Sequence, residues 1–93
     1  MIKHIVFFKS DKENIIVLKE KLNNLPSAIR EICMYETGIN ISDSKNAYDL
    51  CLVSEFKSLD DIEKYRIHPE HQKVVSFIMD NKIEVKVVDY EFN

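Results

Sequence analysis

Both ends of the chain carry strand-like segments that are apolar on two faces, and this limits the possible folds more than any other property of the sequence. Residues 2–9 read Ile-Lys-His-Ile-Val-Phe-Phe-Lys, with the length and the β-branched and aromatic content of a strand. Side chains alternate along a strand, so Ile2, His4, Val6 and Phe8 share one face, while Ile5 and Phe7 lie on the other. Near the opposite end Ile83, Val85 and Val87 alternate with Glu84 and Lys86, and Val88, Tyr90 and Phe92 fall across the strand from Val85 and Val87. Helices packed on one face of such a sheet leave the other too apolar for water. A chain of 93 residues also buries only about 60–65% of its unfolded surface on its own. Two-fold pairing of sheet against sheet answers both problems. The expectation is an obligate homodimer, joined through the exposed sheet face, with a barrel-like centre.

Between these ends the pattern changes period several times. Ser10 followed by Glu13 reads as a capping box, and Ile15, Leu18, Leu22 and Leu25 recur at helical spacing, which predicts a helix from about residue 11 to 24. Pro26 opens a short turn carrying Ile29 and Ile32, and Cys33 to Ser42 alternates loosely as a second strand with Gly38 as its expected bulge. After the polar turn Asp43 to Asn46, a third strand runs through Tyr48, Leu50, Leu52, Ser54 and Phe56, hairpin-paired with the second. Ser58 with Asp61 caps another helix through Ile62 and Tyr65, Pro69 interrupts it, and a further helical segment runs from Pro69 to about Lys82. The order is βαββαβ. It specifies an α+β, ferredoxin-like protomer, a four-stranded antiparallel sheet with helices on one face, and in the dimer an α+β barrel. With one glycine, two prolines and no repeat, residues 1–93 read as one domain.

Charge and cysteine content exclude several classes of function. Lys and Arg number 13 against 16 Asp and Glu, for a net charge of −3, and the cations are scattered, so nucleic acid is not an expected partner. The longest apolar run near the start, Ile5 to Phe8, is too short for a signal core or a membrane span. The expectation is therefore a cytoplasmic protein with no membrane partner. Cys33 and Cys51 form neither a CxxC pair nor a disulfide framework, and both are expected reduced and buried. No glycine-rich phosphate loop is present, and no cofactor is expected.

The segment Tyr65-Arg66-Ile67-His68-Pro69-Glu70-His71 gathers a phenol, two imidazoles and a carboxylate around a helix break. Tyr65 at the end of one helical segment and His71 in the first turn of the next can both face a cavity between helices and sheet, with His4 on the floor. A phenol donates to a substrate carbonyl oxygen, and a neutral imidazole removes a proton from the adjacent carbon near pH 7. That is enolisation or aldol-type chemistry. The plainer alternative is that His68-Pro69 ends a helix, His71 flanks the next, and Tyr65 packs in the core. A metal site on His68, Glu70 and His71 lacks the i, i+4 spacing of paired helical ligands, so none is expected. Cys51, mid-strand without a neighbouring histidine, reads as packing and not as a nucleophile.

Three stretches also carry a resemblance: residues 1–9, residues 61–71 with their Tyr-x-x-His-Pro-x-His string, and Val88-Asp-Tyr-Glu91. Leu25-Pro26, Glu36, Gly38 and Tyr48-Asp49 extend it over essentially the whole length. The chain resembles the stress-responsive α/β-barrel (Dabb) domain family. The resemblance implies a ferredoxin-like protomer in a dimeric α+β barrel. One plant member is a polyketide cyclase that closes a linear polyketide by intramolecular aldol condensation without a metal or organic cofactor. Carried over position by position, Tyr65 and His71 match its acid/base pair, His4 matches a histidine lining its pocket, and His68 also has a histidine counterpart. The residues that shape that member's long acyl pocket are not shared. The sequence thus suggests a homodimeric, stress-responsive protein with a small apolar pocket for a carbonyl-containing ligand. In it His71 is the general base, Tyr65 orients the substrate oxygen, and His4 and His68 contact the substrate. The alternative is a non-catalytic ligand-binding or stress-associated structural module. A haem or monooxygenase-like role would rest on fold alone.

Overall fold

The computed structural model describes residues 1–93. The elements are β1 (Ile2–Lys9), α1 (Lys12–Asn23), β2 (Met34–Ile39), β3 (Leu50–Phe56), α2 (Leu59–Ile67), α3 (Pro69–Asp80) and β4 (Glu84–Glu91). The four strands form one antiparallel sheet in the order β2-β3-β1-β4, the arrangement expected of a ferredoxin-like protomer. The alternation in β1 works as its pattern dictates: Ile2, Val6 and Phe8 are buried against the helices. On β3, Leu50, Leu52, Ser54 and Phe56 are buried while Cys51, Val53 and Glu55 are only half-buried. Ile15, Leu18 and Leu22 of α1, with Ile62 and Tyr65 of α2 and Val74 of α3, complete the core over this inner face.

Local chemistry explains where the expected boundaries move. The cap of α1 is Asp11, whose carboxylate accepts from the Asn14 N–H at 2.9 Å, and not Ser10, which instead accepts from the Asn14 side chain. Asp and Ser are comparable caps, and here the residue nearer the helix takes the role. The expected bulge at Gly38 is absent: β2 and β3 pair in continuous register, with Gly38 opposite Cys51. Both strands are also shorter than their alternation suggested, because the polar segment between Asn40 and Asp49 closes on itself. Asn40 bonds to Ser42 there, and the Asp49 carboxylate accepts from the Ser10 N–H at 3.0 Å. Helix α3 stops at Asp80; Asn81 caps it and Lys82 turns the chain with φ of 53°. Cys33, expected buried, is exposed, and Cys51 is half-buried on the outer face, where burial and the nearby Glu36 raise its thiol above the usual range.

The outer face of the sheet has no helix over it. Phe7, Val88 and Tyr90 on that face are 41%, 56% and 44% exposed, and they surround half-buried Ile5 and Val53. The inner face is covered unevenly. The helices lie over β2 and β3 and bury the inner residues of β1, whereas every residue of the edge strand β4 is exposed, including Val85 and Val87, which pair with Phe8 and Val6. Cover is therefore missing along β4. No helix is long and apolar enough to cross a membrane.

Candidate functional site

The break between α2 and α3 follows from Pro69. Proline lacks an N–H and its ring clashes with the preceding turn, so a helix cannot run through it, although it fits the first position of a new one. His68 consequently takes an extended conformation between the helices, with ψ of 136°, and its Nδ1 accepts from the Glu70 N–H at 3.1 Å to cap α3. The Glu70 N–H would otherwise have reached the Arg66 carbonyl, which is left free at the end of α2. Two side chains of α3 satisfy it: His71 Nδ1 at 3.0 Å and Gln72 Nε2 at 2.7 Å. A carbonyl oxygen only accepts, so His71 Nδ1 carries the proton and the neutral ring keeps its lone pair on Nε2. Burial, the largest effect, lowers the His71 pKa from 6.5, partly offset by the bond to Arg66, and nearby His4 lowers it further. His71 is therefore a neutral base at pH 7.

Beneath the break, strand register assembles a polar row across an otherwise apolar face. Tyr35 on β2 pairs with Ser54 on β3, Ser54 with His4 on β1, and His4 with Asp89 on β4. Ser54 is fully buried and its Oγ donates to the His4 carbonyl at 3.2 Å. His4 Nδ1 lies 2.5 Å from Asp89 Oδ1. Since an ionised carboxylate only accepts, His4 donates through Nδ1 and its Nε2 is the free ring nitrogen. Tyr35 reaches upward, its hydroxyl 2.9 Å from that of Tyr65.

Tyr65 joins the row to the break. Only 2% exposed, its ring lies 4.3 Å from that of His71, 5.1 Å from Phe56 and 6.0 Å from His4, centre to centre. Burial raises its pKa and the hydrogen bond it shares with Tyr35 partly offsets the rise, leaving it pushed up to about 12. The phenol is thus a proton donor throughout the physiological range. Tyr65, His71, His4 and Asp89 all line a cavity of about 330 Å³, walled mainly by apolar side chains such as Val6, Leu52, Val74 and Ile78. Its mouth lies along β4, where the lining residues Val85 and Val87 remain 36% and 51% exposed. Arg66 contributes the only cationic side chain, and Glu63 holds its guanidinium through bonds of 2.9 and 2.5 Å.

Three of the four residues singled out from sequence therefore share this cavity. His68 does not: its ring is occupied in capping α3, and it is not part of the lining. His68, Glu70 and His71, weighed above as a metal set, are turned to separate tasks, with Glu70 paired to Lys73 at 2.9 Å. Sequence reasoning missed Asp89 and Tyr35. A signal existed for Asp89, an acidic residue in an apolar final strand on the same face as Val85 and Val87. Tyr35 had no such mark, since an aromatic residue in a strand is ordinary core material.

The arrangement is shared with known proteins. The family model of the stress responsive A/B barrel domain (Dabb) matches residues 2–92. An uncharacterised protein of Streptomyces coelicolor is 32% identical over 98 residues, covering 99% of this chain and all of its own length. A dimeric protein of unknown function and ferredoxin-like fold from Bacteroides fragilis is 35% identical, with a TM-score of 0.83 over 98% of this chain and 95% of that one. The hydroxynitrile lyase of Passiflora edulis superposes with a TM-score of 0.82 at 18% identity, over 99% of this chain and 93% of its own, which is a likeness of fold alone.

Proposed function

This chain belongs to the stress-responsive A/B barrel domain (Dabb) family, and from that premise we propose that it is a homodimer whose cavity carries out cofactor-free acid/base chemistry on a small, uncharged carbonyl compound. One observation carries the reading: a neutral imidazole, a protonated phenol and a carboxylate-held imidazole converge on one mostly apolar cavity. His71 Nε2 removes a proton from the carbon next to the carbonyl. Tyr65 donates to the carbonyl oxygen as charge builds on it. His4, oriented by Asp89, positions the ligand from the floor. General acid or base groups placed in this way contribute about 10²–10⁴-fold each. Because Glu63 pairs with Arg66, the only cationic side chain of the lining, and Asp89 is occupied by the His4 ring, no free cation awaits a carboxylate or phosphate, which favours neutral ligands. The hydroxynitrile lyase shows that a protein of this fold can be an enzyme.

The dimer rests on the outer sheet face, where Phe7, Val88 and Tyr90 form an exposed apolar surface, and on the dimeric Bacteroides fragilis relative. Sheet-against-sheet pairing would cover these side chains together with Ile5 and Val53 and leave the cavity mouth on the opposite face.

Exchange of the α-protons of small methyl ketones in heavy water, followed by NMR, tests the chemistry whichever carbonyl compound is the natural substrate. The protein should accelerate exchange above buffer, and His71→Ala and Tyr65→Phe should each abolish most of the acceleration. Ketones that occupy the cavity in NMR titrations but exchange no faster than in buffer would refute the acid/base reading in favour of a non-catalytic binding module.

A further inference from the structure

Tyr35 lies outside the cavity lining, yet its hydroxyl reaches that of Tyr65. A hydroxyl carries one proton and two acceptor lone pairs, so in this pair one phenol gives its proton and the other receives it. Tyr35 has no other side-chain partner for its hydroxyl, whereas Tyr65 also faces the cavity. We propose that Tyr35 is a positioning residue for Tyr65: it donates to the Tyr65 oxygen, which frees the Tyr65 proton for a ligand in the cavity and stabilises the phenolate left when that proton moves.

The proposal rests on the acid/base reading of the cavity and adds to it the group that makes Tyr65 an effective acid. In an enolisation the Tyr65 O–H bond breaks as a new O–H bond forms on the ligand oxygen. At the same time His71 Nε2 takes a proton from the adjacent carbon. Ketone becomes enol, and the protein holds an imidazolium and a phenolate whose rings are 4.3 Å apart. Passage of the extra proton from His71 back to Tyr65 restores the starting state, with no other reactant. Without Tyr35 the phenolate would have no hydrogen-bond donor from the protein, with Phe56 against its ring, and a buried charge without a hydrogen bond is disfavoured. Strand register fixes the geometry, because Tyr35 stands opposite the small Ser54 in the same cross-strand row as His4 and Asp89.

The test uses the full-length protein with a fluorinated tyrosine, whose phenol ionises at lower pH, incorporated at position 65 alone. Its ionisation is followed by absorbance. Tyr35→Phe keeps the ring and its packing and removes only the hydroxyl. It should raise the midpoint at position 65 by about one pH unit, the size of a hydrogen bond to a charged group, and should slow ketone exchange about tenfold. A midpoint that is unchanged or lower overturns the proposal, even where the parent protein exchanges ketones. A parent that exchanges no ketone while the midpoint still rises refutes the acid/base reading and leaves the Tyr35–Tyr65 bond standing. Should Tyr35→Phe not fold, NMR of the unsubstituted protein decides: the shared hydroxyl proton should correlate with the ring carbons of Tyr35, and correlation with those of Tyr65 overturns the proposal.

Discussion

Replacing Tyr35 and Tyr65 by phenylalanine, singly and together, separates the hydroxyl pair from the packing around it. The Tyr65 ring stays against Phe56 and His71 and the Tyr35 ring against that of Tyr65, so what changes is one bond of 2.9 Å. A hydrogen bond of this kind contributes about 1 kcal/mol net, and a buried hydroxyl left without its partner costs about 1–3 kcal/mol. Tyr65 is buried and Tyr35 half-buried, so Tyr35→Phe strands the more deeply buried oxygen. It should cost about 2 kcal/mol, against about 1 kcal/mol for Tyr65→Phe, which leaves a Tyr35 hydroxyl better able to reach water. The double variant strands nothing, so its loss should be only the net value of the bond, about 1 kcal/mol, against about 3 kcal/mol for the sum of the single variants, a coupling of about 2 kcal/mol. Unfolding entropy scaled to a chain of this length is about 0.2 kcal/mol/K, so each kcal/mol moves Tm by about 5 °C. Denaturant unfolding at one fixed protomer concentration is the assay, since the proposed dimerisation would make apparent stability concentration-dependent. Losses that add to within about 0.3 kcal/mol, as they do for independent sites, would refute a shared hydrogen bond between these phenols.

Two further outcomes follow from the site and the sheet. Burial lowers the His71 pKa from 6.5 in the folded protein, so below that pH the unfolded chain binds a proton that the folded one still refuses. The stability held above pH 6.5 should decline on acidification and level off once the folded-state value is passed, and His71→Phe should flatten this slope in denaturant titrations run across pH. The acid limb of ketone exchange should likewise lie below pH 6.5; a limb above it would contradict His71 as the base. Phe7→Glu places a charge in the middle of the apolar outer face and should yield protomers in sedimentation with unchanged far-ultraviolet circular dichroism. A dimer that persists would move the interface away from this face.

How much of this was legible in the sequence depends on how local the governing interactions are. β1 is found at its expected bounds because its alternation lies wholly within eight residues. The α2–α3 break is legible for the same reason, since Pro69 acts on the turn it occupies. The ends of β2 and β3 fall short of the sequence pattern because alternation continues into Asn40 and Tyr48, while the loop's own side-chain bonds decide where the ladder stops. Gly38 suggests a bulge because glycine in a strand often marks one. Here a Cβ at that position would meet nothing within 4 Å, so neither register nor close packing calls for glycine.

The site divides along the same line. Tyr65 and His71 stand out because one proline gathers them, and His4 because it interrupts an apolar face. Asp89 and Tyr35 become meaningful only through pairings across 85 and 30 residues of chain, which depend on a register that local pattern does not specify. A one-residue slip of β4 would turn Asp89 to the outer face and bring Val88 under the helices. The hydrophobic pattern of β4 resists such a slip only weakly, because Val85 and Val87 on one face are balanced by Val88 and Tyr90 on the other. The His4–Asp89 bond and the seating of Val87 beside Val6 and Val85 beside Phe8 favour the observed register. The same bond that orients the His4 ring therefore also helps to keep β4 in register, so the setting of His4 in the cavity and the pairing of its edge strand depend on one contact.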